Sequence, residues 1–125
     1  MLSFHGFELN SKDPVYIQLA LYVKRKILLK ETFSGDKIPS RREIALQLGM
    51  NPNTVQKAFK LMEEEGYVRT VSTQGSEIHV DALIWNHIEK ELTYEMIHTF
   101  IRSAKDLNLS FKQVMDLISD HWGAD

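Results

Sequence analysis

Apolar residues recur at helical spacing along most of this chain, and polar residues at the ends of those stretches predict where each helix begins. The first stretch has an apolar stripe that consists of Tyr16, Leu19, Ala20, Val23 and Ile27. Asp13 followed by Pro14 is typical of a helix N-cap with proline at the first helical position, which predicts a helix that runs to about Lys30. Lys24 to Lys26 are expected on its far, solvated side. Three apolar residues of the preceding segment should dock on the domain: Phe4, Phe7 and Leu9.

Two more helices are predicted in quick succession after residue 39. Ser40 and Glu43 form a capping box, and Gly49 should end this short helix in a left-handed conformation. Asn51 is a second N-cap and is followed by Pro52 at the first helical position. The buried face of this second helix should consist of Val55, Ala58, Phe59 and Met62. Two short helices joined by a tight turn form a helix-turn-helix, whose second helix can enter the major groove of DNA.

A β-hairpin and a helical tail are predicted beyond that motif. Glu65-Gly66 should end the second helix, and the segments Tyr67 to Val71 and Glu77 to Val80 read as two strands around a polar tip. Such a hairpin after a helix-turn-helix is the wing of a winged helix. Asp81 should cap a long amphipathic helix that reaches about Leu107, and Ser110 with Gln113 repeats the capping box for a last short helix. We therefore predict a mainly α fold with a small β-hairpin, in which a winged helix-turn-helix (1–80) precedes a C-terminal helical hairpin (81–125).

The side chains expected on the exposed side of the second helix suit nucleic acid. Hydrogen-bonding and cationic groups collect on this surface and around the first turn, and no carboxylate is among them. They are Asn51, Asn53, Thr54, Gln56, Lys57 and Lys60. Asn53, Thr54 and Gln56 are candidates for base contacts, and Lys57 for phosphate or guanine. In the predicted wing, Gln74 and Gly75 could reach the minor groove, although a solvent-exposed turn explains them nearly as well.

The formal net charge of −2 would argue against DNA only if the charge were evenly spread. Residues 1–80 hold 11 Lys+Arg against 9 Asp+Glu, whereas residues 81–125 hold 4 against 8. Within 37–61, five cations stand against the single carboxylate of Glu43. A local basic patch can steer a phosphate backbone without making the whole molecule cationic. Double-stranded DNA is therefore the expected partner.

Several fragments of the chain, in order and nearly without gaps, resemble the DNA-binding domain of the GntR family of bacterial transcription regulators. They are Ile38-Pro39-Ser40-Arg41-Arg42-Glu43-Ile44-Ala45, Leu48-Gly49, Thr54-Val55 and Glu65-Gly66-Tyr67-Val68. The stretch from Asn51 to Ala58 is similar in particular to the YtrA-type subfamily, whose members carry a short helical tail. The resemblance implies a DNA-binding regulator, most simply a repressor, that acts as a homodimer on a palindromic operator, with a neighbouring transporter operon as the suggested target.

The resemblance also bears on individual residues. Arg42 lies where the family uses an arginine on DNA; Ser40 and Arg41 lie beside it, and Arg41 fits a DNA contact and a plain surface position equally well. The best-known family pattern has arginines where this chain has Pro52 and Gln56, so base reading would fall to the amide and hydroxyl side chains. Relatives usually carry Gly-x-Gly in the wing, and this chain keeps only Gly75.

The tail is expected to form the dimer, because 45 residues cannot enclose a typical effector cavity and its apolar side would otherwise be exposed. The helix at 14–30 is a second candidate for that contact. Neither the operator, the regulated genes, a small-molecule effector nor the choice between repression and activation follows from the sequence.

Other chemistries find little support. With no cysteine there is no disulfide, thiolate metal site or cysteine nucleophile. His87 and His98 lie about three helical turns apart, roughly 16 Å, so they cannot share one ion, and no metal or cofactor is expected. No phosphate loop or nucleophile elbow occurs, which argues against an enzyme. The absence of a membrane-spanning run and of a signal-peptide pattern predicts a cytoplasmic protein. The alternative function is a winged helix that binds an acidic protein partner and no specific DNA.

Overall fold

The computed structural model describes residues 1–10, 12–71 and 75–124. Within these ranges the chain forms five helices and three short strands. In chain order they are α1 (Val15–Leu28), β1 (Lys37–Ile38), α2 (Arg41–Leu48), α3 (Pro52–Glu65), β2 (Val68–Thr70), β3 (Ser76–Ile78), α4 (Ala82–Asp106) and α5 (Phe111–His121). The predicted fold class, mainly helical with a small antiparallel sheet, is confirmed.

The chain divides into two compact units, Met1–Ile88 and Glu89–Asp125. The division falls inside α4, eight residues beyond the functional boundary proposed at residue 80, because the first turns of α4 pack with the first unit. Ile88 is buried, and Ile84 and Ile88 line one pocket with Tyr67. A division of labour at residue 80, with DNA binding before it and dimerisation after it, stays a prediction.

The core of the first unit lies between α1 and α3, which are also backed by the sheet. Buried side chains from these elements include Leu19, Val23 and Ile27 of α1, Val55, Phe59 and Met62 of α3, and Tyr67, Val68 and Ile78. The Tyr67 hydroxyl donates to the carbonyl oxygen of Ala20 at 3.4 Å. The stripes predicted for both helices are therefore buried, except that Tyr16 is only half-buried.

The N-terminal segment docks on this core through residues that were only partly foreseen. Phe4 is buried as predicted and stacks on Tyr22, and Phe7 contacts the same ring. Leu2, which was not predicted, is buried, and its N–H donates to the carbonyl oxygen of Lys37. The prediction that Leu9 docks on the domain is wrong, since this side chain is 56% exposed.

The predicted ends of α1 need two corrections. Pro14 is the N-cap in place of Asp13, and no side chain caps the helix. The Gln18 side chain instead organises this entry, because its amide group donates to the carbonyl oxygens of Asn10 and Asp13. At the other end α1 stops at Leu28, since Lys30 adopts a left-handed backbone with φ of 57° and cannot continue the helix.

Lys24 is not on a solvated face. It is 5% exposed, and its Nζ lies 2.7 Å from Oε1 of Glu65 on α3, so an ion pair joins α1 to α3. The prediction that Lys24 to Lys26 are solvated is wrong for Lys24, because this residue follows the core residue Val23 and lies toward α3. Arg25 is exposed, as predicted.

The sheet has three strands in the order β1-β3-β2, and both pairings are antiparallel. The hairpin of β2 and β3 was predicted, and β1 adds a third strand whose Lys37 lies opposite Glu77 of β3. The loop before β1 is tied by Asp36, which accepts hydrogen bonds from the Phe33 N–H and the Thr32 hydroxyl. The Phe33 N–H, with the Thr32 hydroxyl, holds the pKa of Asp36 below its usual value.

The second unit contains most of α4 and all of α5. The Asp81 carboxylate, in the first unit, accepts from the N–H of Ile84 and caps α4, and Ser110 with Gln113 forms a complete capping box for α5, as predicted. Asn108, with φ of 59°, turns the chain between them. The two helices line an apolar pocket of about 350 Å³, but Trp122 in its wall is 86% exposed, so it is a groove rather than an enclosed cavity.

Candidate nucleic-acid interface

The interface begins with two capped helices at a fixed turn. The Ser40 hydroxyl accepts from the N–H of Glu43 at 3.1 Å, and the Glu43 carboxylate accepts from the N–H of Ser40 at 3.3 Å, which completes the predicted capping box of α2. Gly49 has the predicted left-handed conformation, with φ of 64°. Met50 alone separates Gly49 from Asn51, the N-cap of α3, so α2 leads directly into α3.

The helix α3 has two distinct faces, as its sequence predicted. The members of the predicted buried face, Val55, Ala58, Phe59 and Met62, are each no more than 1% exposed. The residues at the complementary helical spacing, Asn53, Gln56, Lys57 and Lys60, are all exposed. Because positions i, i+3, i+4 and i+7 lie on one side of a helix, these four side chains form one polar surface. We call this surface the recognition face.

The first turn of α3 uses some of its polar groups internally. The Asn51 side-chain oxygen accepts from the N–H of Asn53 at 2.8 Å, so that oxygen serves as the N-cap. The amide nitrogen of the same side chain stays available as a donor. Thr54 is half-buried, in contrast to the fully exposed Asn53. Of the three candidates for base contacts, Asn53 and Gln56 therefore present the most accessible amide groups.

The two arginines at the start of α2 differ sharply. Arg42 is exposed, whereas the Arg41 guanidinium lies 4.5 Å from the centre of the Phe59 ring and donates to the Glu63 carboxylate at 3.0 Å. The Ser40 hydroxyl next to them is occupied as an acceptor in the capping box. Of these three candidate residues, Arg42 is the one whose charged group is free to meet a phosphate.

The basic patch is smaller than the sequence count suggested. Lys37 lies 3.8 Å from Glu77 and Arg41 lies 3.0 Å from Glu63, and both carboxylates fall outside the counted segment 37–61. Within the described parts of the chain, the other three cations form no ion pair. They are Arg42, Lys57 and Lys60. Three cations without an ion pair, of which Lys57 and Lys60 lie on the recognition face, and the lack of a carboxylate among the four residues of that face still suit a phosphate backbone.

A concavity of about 560 Å³ lies between the start of α2 and the start of α3. Its walls include Arg41, Arg42, Leu46 and Pro52. Leu46 is 78% exposed and was not singled out from the sequence. Ile44, Ala45 and Leu48 form the apolar stripe of α2, and an apolar residue between them but off that stripe, as Leu46 is, was the available signal.

The wing is described only in part. Gln74, predicted to reach the minor groove, lies outside the described residues. Gly75 is described and has φ of 87°, and its carbonyl oxygen accepts from the N–H of Val71 at 2.7 Å. The polar side chains on the strands are engaged within the domain, since Arg69 contacts the His79 ring and Thr70 donates to Glu63.

Helices α1 to α3 followed by a small antiparallel sheet, with an exposed polar face on the second helix of a helix-turn-helix, define a winged-helix DNA-binding domain. The family model described as "Bacterial regulatory proteins, gntR family" matches residues 15–78. The chain belongs to the GntR family.

Individual relatives agree with this assignment. The chain is 35% identical to the HTH-type transcriptional regulator YhcF of Bacillus subtilis over 109 residues. This matched region covers 87% of this chain and 90% of that protein. It is 40% identical over 73 residues to the HTH-type transcriptional repressor YtrA of the same organism, over 58% of this chain and 56% of that protein. A GntR family transcriptional regulator from Listeria monocytogenes has a similar structure, with a TM-score of 0.80 at 25% identity over 90% of this chain and 98% of that one.

The predicted resemblance to the GntR family and to YtrA-type regulators is thus confirmed. The chain is a DNA-binding transcription regulator rather than an enzyme. In the part of the chain that the structure describes, no three His, Cys, Asp or Glu side chains lie close enough to hold a metal ion. None of the described helices has the length and apolar character required to cross a membrane.

Proposed function

We propose that this regulator is a repressor that binds a two-fold symmetric operator as a homodimer, with α3 of each protomer in the major groove. The observation that carries the proposal is the recognition face, where two amides and two ammonium groups are exposed opposite a fully buried apolar face. Asn53 and Gln56 are the base readers, with adenine as their natural partner. Lys57, Lys60 and Arg42 bind phosphate, and a dimer bound on one face of the duplex occludes a promoter.

Repression and dimerisation have separate support. The similarity to a protein named as a repressor, YtrA, favours repression. The exposed apolar side chains of α4 and α5, among them Phe111 and Trp122, favour a second copy as partner, because a solvated apolar helix face is costly. On the resemblance to the YtrA-type group, we extend the proposal to a neighbouring transporter operon as the target and to the cytoplasm as the site of action.

The first test is selection and sequencing of duplexes that the purified protein retains from a random pool, with Gln56→Ala and Arg42→Ala in parallel. The expected result is enrichment of a two-fold site by the unsubstituted protein. Gln56→Ala should relax the preference at one position in each half-site, with a loss of about 1–3 kcal/mol against the preferred base. Arg42→Ala should weaken binding to all sequences alike and reduce the slope of log affinity against log salt by about one.

Two other outcomes are informative. Enrichment of a single half-site without symmetry would contradict the homodimer and leave DNA reading in place. If no duplex is enriched and duplex binding is insensitive to salt, operator recognition fails, and the chain is better explained as a winged helix that meets an acidic protein partner. Transcription of the adjacent operon with and without the regulator then distinguishes repression from activation.

A further inference from the structure

We propose that Arg41 is a positioning residue, which holds the recognition helix and the wing against α2 and does not itself bind DNA. Arg41 is the first residue of α2, next to the exposed Arg42, and from sequence both arginines are candidates for phosphate. The inference rests on DNA binding through α3. It assigns the two neighbours opposite roles, and it follows from contacts that cross three elements of the domain.

The first contact fixes the guanidinium on α3. Its central carbon lies 4.5 Å from the centre of the Phe59 ring, within range of a cation–π contact, and Phe59 is 1% exposed in the core. The Nε of Arg41 is buried and finds no hydrogen-bond partner among the described residues. A side chain that only reached into solvent for a phosphate would keep that nitrogen hydrated. The guanidinium is instead laid against the protein.

The second contact ties α2 to both α3 and the wing. Nη2 of Arg41 donates to Oε1 of Glu63 at 3.0 Å, and the same oxygen accepts from the Thr70 hydroxyl at 2.9 Å. Glu63 lies in the last turn of α3, and Thr70 is the last residue of β2. One carboxylate oxygen therefore links the start of α2, the end of the recognition helix and the first wing strand. We call Arg41, Glu63 and Thr70 the clamp.

The clamp bears on DNA binding through geometry. The recognition face and the wing must meet the duplex together, so a change in the angle between α3 and β2 misaligns one contact when the other is made. Arg41 also has its charge offset by Glu63 at short range. To bind a phosphate it would have to leave that carboxylate and the Phe59 ring, whereas Arg42 gives up no such partner.

Removal of the Glu63 carboxylate should change the affinity for DNA in opposite directions, depending on whether Arg41 binds phosphate or positions the domain. If Arg41 contacts phosphate, Glu63→Ala deletes a negative charge near DNA and frees the arginine, so DNA binding should strengthen. If Arg41 positions the domain, Glu63→Ala breaks the clamp and binding should weaken. Glu64→Ala is the matched control. Glu64 is the next residue along the helix, its side chain is exposed and outside the clamp, and the substitution removes the same charge. Alanine favours helix at both positions, so helix propensity does not confound the comparison.

The experiment measures affinity across a salt series for the full chain on the duplex enriched by selection and on a mixed-sequence duplex, with folding checked by circular dichroism at the same temperature. Glu63→Ala should bind the selected duplex roughly fivefold more weakly, which is the affinity ratio that corresponds to the loss of a partly exposed ion pair. Glu64→Ala should bind equally well or more tightly. Thr70→Val, which changes no charge, should weaken binding in the same direction as Glu63→Ala.

The slope of log affinity against log salt separates a lost phosphate contact from a change in the geometry of the domain. Arg41→Ala should lower affinity while the slope stays that of the unsubstituted protein, whereas Arg42→Ala should reduce the slope by about 0.9 for one lost phosphate contact. Arg41→Lys should lower the affinity for DNA about as much as Arg41→Ala does, since an ammonium group cannot lie flat on Phe59 while it donates to Glu63.

Several results would overturn the inference. Tighter binding by Glu63→Ala, a lower salt slope for Arg41→Ala, or full activity of Arg41→Lys would each assign Arg41 to the DNA contact instead. Unchanged affinity for Glu63→Ala and Thr70→Val in folded protein would mean that the clamp is irrelevant to DNA. If the unsubstituted protein binds no duplex, the proposed function fails as well. Failure of the proposed function can therefore be distinguished from failure of the role assigned to Arg41.

Discussion

Gly49 joins the two helices of the helix-turn-helix in a left-handed backbone conformation, which costs free energy for residues that carry a Cβ. Its φ of 64° lets the N–H of Met50 donate to the carbonyl oxygen of Ala45, which closes the end of α2 before Asn51 opens α3. A Cβ built at Gly49 would meet no atom within 4 Å. The requirement for glycine is therefore one of backbone conformation and not of space.

Gly49→Ala should consequently lower the free energy of unfolding by about 1 kcal/mol. Gly49→Asn should cost less, since asparagine enters the left-handed region more readily. Urea unfolding at a fixed protein concentration checks both values. Gly123→Ala is the matched control, because a Cβ there also meets open space but its φ is not in the left-handed range. An equal loss for both alanine variants would contradict the conformational explanation.

At the scale of elements, α3 is held from two sides by ion pairs of different burial. Arg41 reaches its last turn from α2 with both partners about one-third exposed, whereas Lys24 reaches Glu65 from α1 and is almost fully buried. Lys24 also lies 5.5 Å from the centre of the Tyr67 ring. The orientation of the recognition helix thus depends on polar contacts as well as on the apolar faces of α1 and α3.

Lys24→Met should destabilise the first unit by about 2 kcal/mol, because it keeps the length of the side chain but leaves Glu65 without its cation. The loss is smaller than for a pair with two buried members, since the Glu65 side chain is 27% exposed. Lys112→Met provides the control: its ion pair with Asp116 is 86% and 62% exposed, so its loss should stay below about 0.5 kcal/mol. Chemical unfolding of both variants tests the contrast, and equal effects would refute it.

At the scale of the whole molecule, the protomer leaves apolar helix surface uncovered. In α5 no residue is buried. Its apolar stripe consists of Phe111, Val114, Met115 and Ile118, and of these Met115 and Phe111 are 46% and 81% exposed. The dimer proposed above would cover this stripe. Its formation would also bring two recognition faces to one operator, so the strength of operator binding should depend on the tail.

Met115→Lys should therefore shift the equilibrium between monomer and dimer toward monomer by at least about tenfold, because an ammonium group is costly to bury in an apolar contact. Asp120→Lys, on the opposite side of the same helix, should leave the equilibrium unchanged. Sedimentation over a range of concentrations measures both, with circular dichroism to confirm that the helices remain. A dimer that is insensitive to Met115→Lys would exclude this stripe as the interface.

Most residues whose role is local were predicted correctly from the sequence, although the N-cap of α1 was not. The capping boxes at Ser40 and Ser110, the N-cap at Asn51 and the left-handed Gly49 all involve partners within five residues along the chain. The apolar stripe of α3 was correct in every member, since helical periodicity alone assigns a face. The recognition face followed from the same periodicity as its complement.

Apart from the N-cap of α1, the main contacts that differed from expectation join distant parts of the chain. The partner of Lys24 is 41 residues away and that of Arg41 is 22 away, so no local pattern revealed that these cations face carboxylates. Strand β1 has two residues, too few to display a period, and it exists because β3 offers it an edge.

What the sequence by itself determined is the five helices and the hairpin, their order, most of their buried faces and the family to which the chain belongs, because propensity, capping and periodicity act over a few residues. What only the tertiary structure decided is which polar side chains remain free for DNA. A charged group is available when folding leaves it without a partner, and partners far apart in sequence meet only when the helices and strands pack.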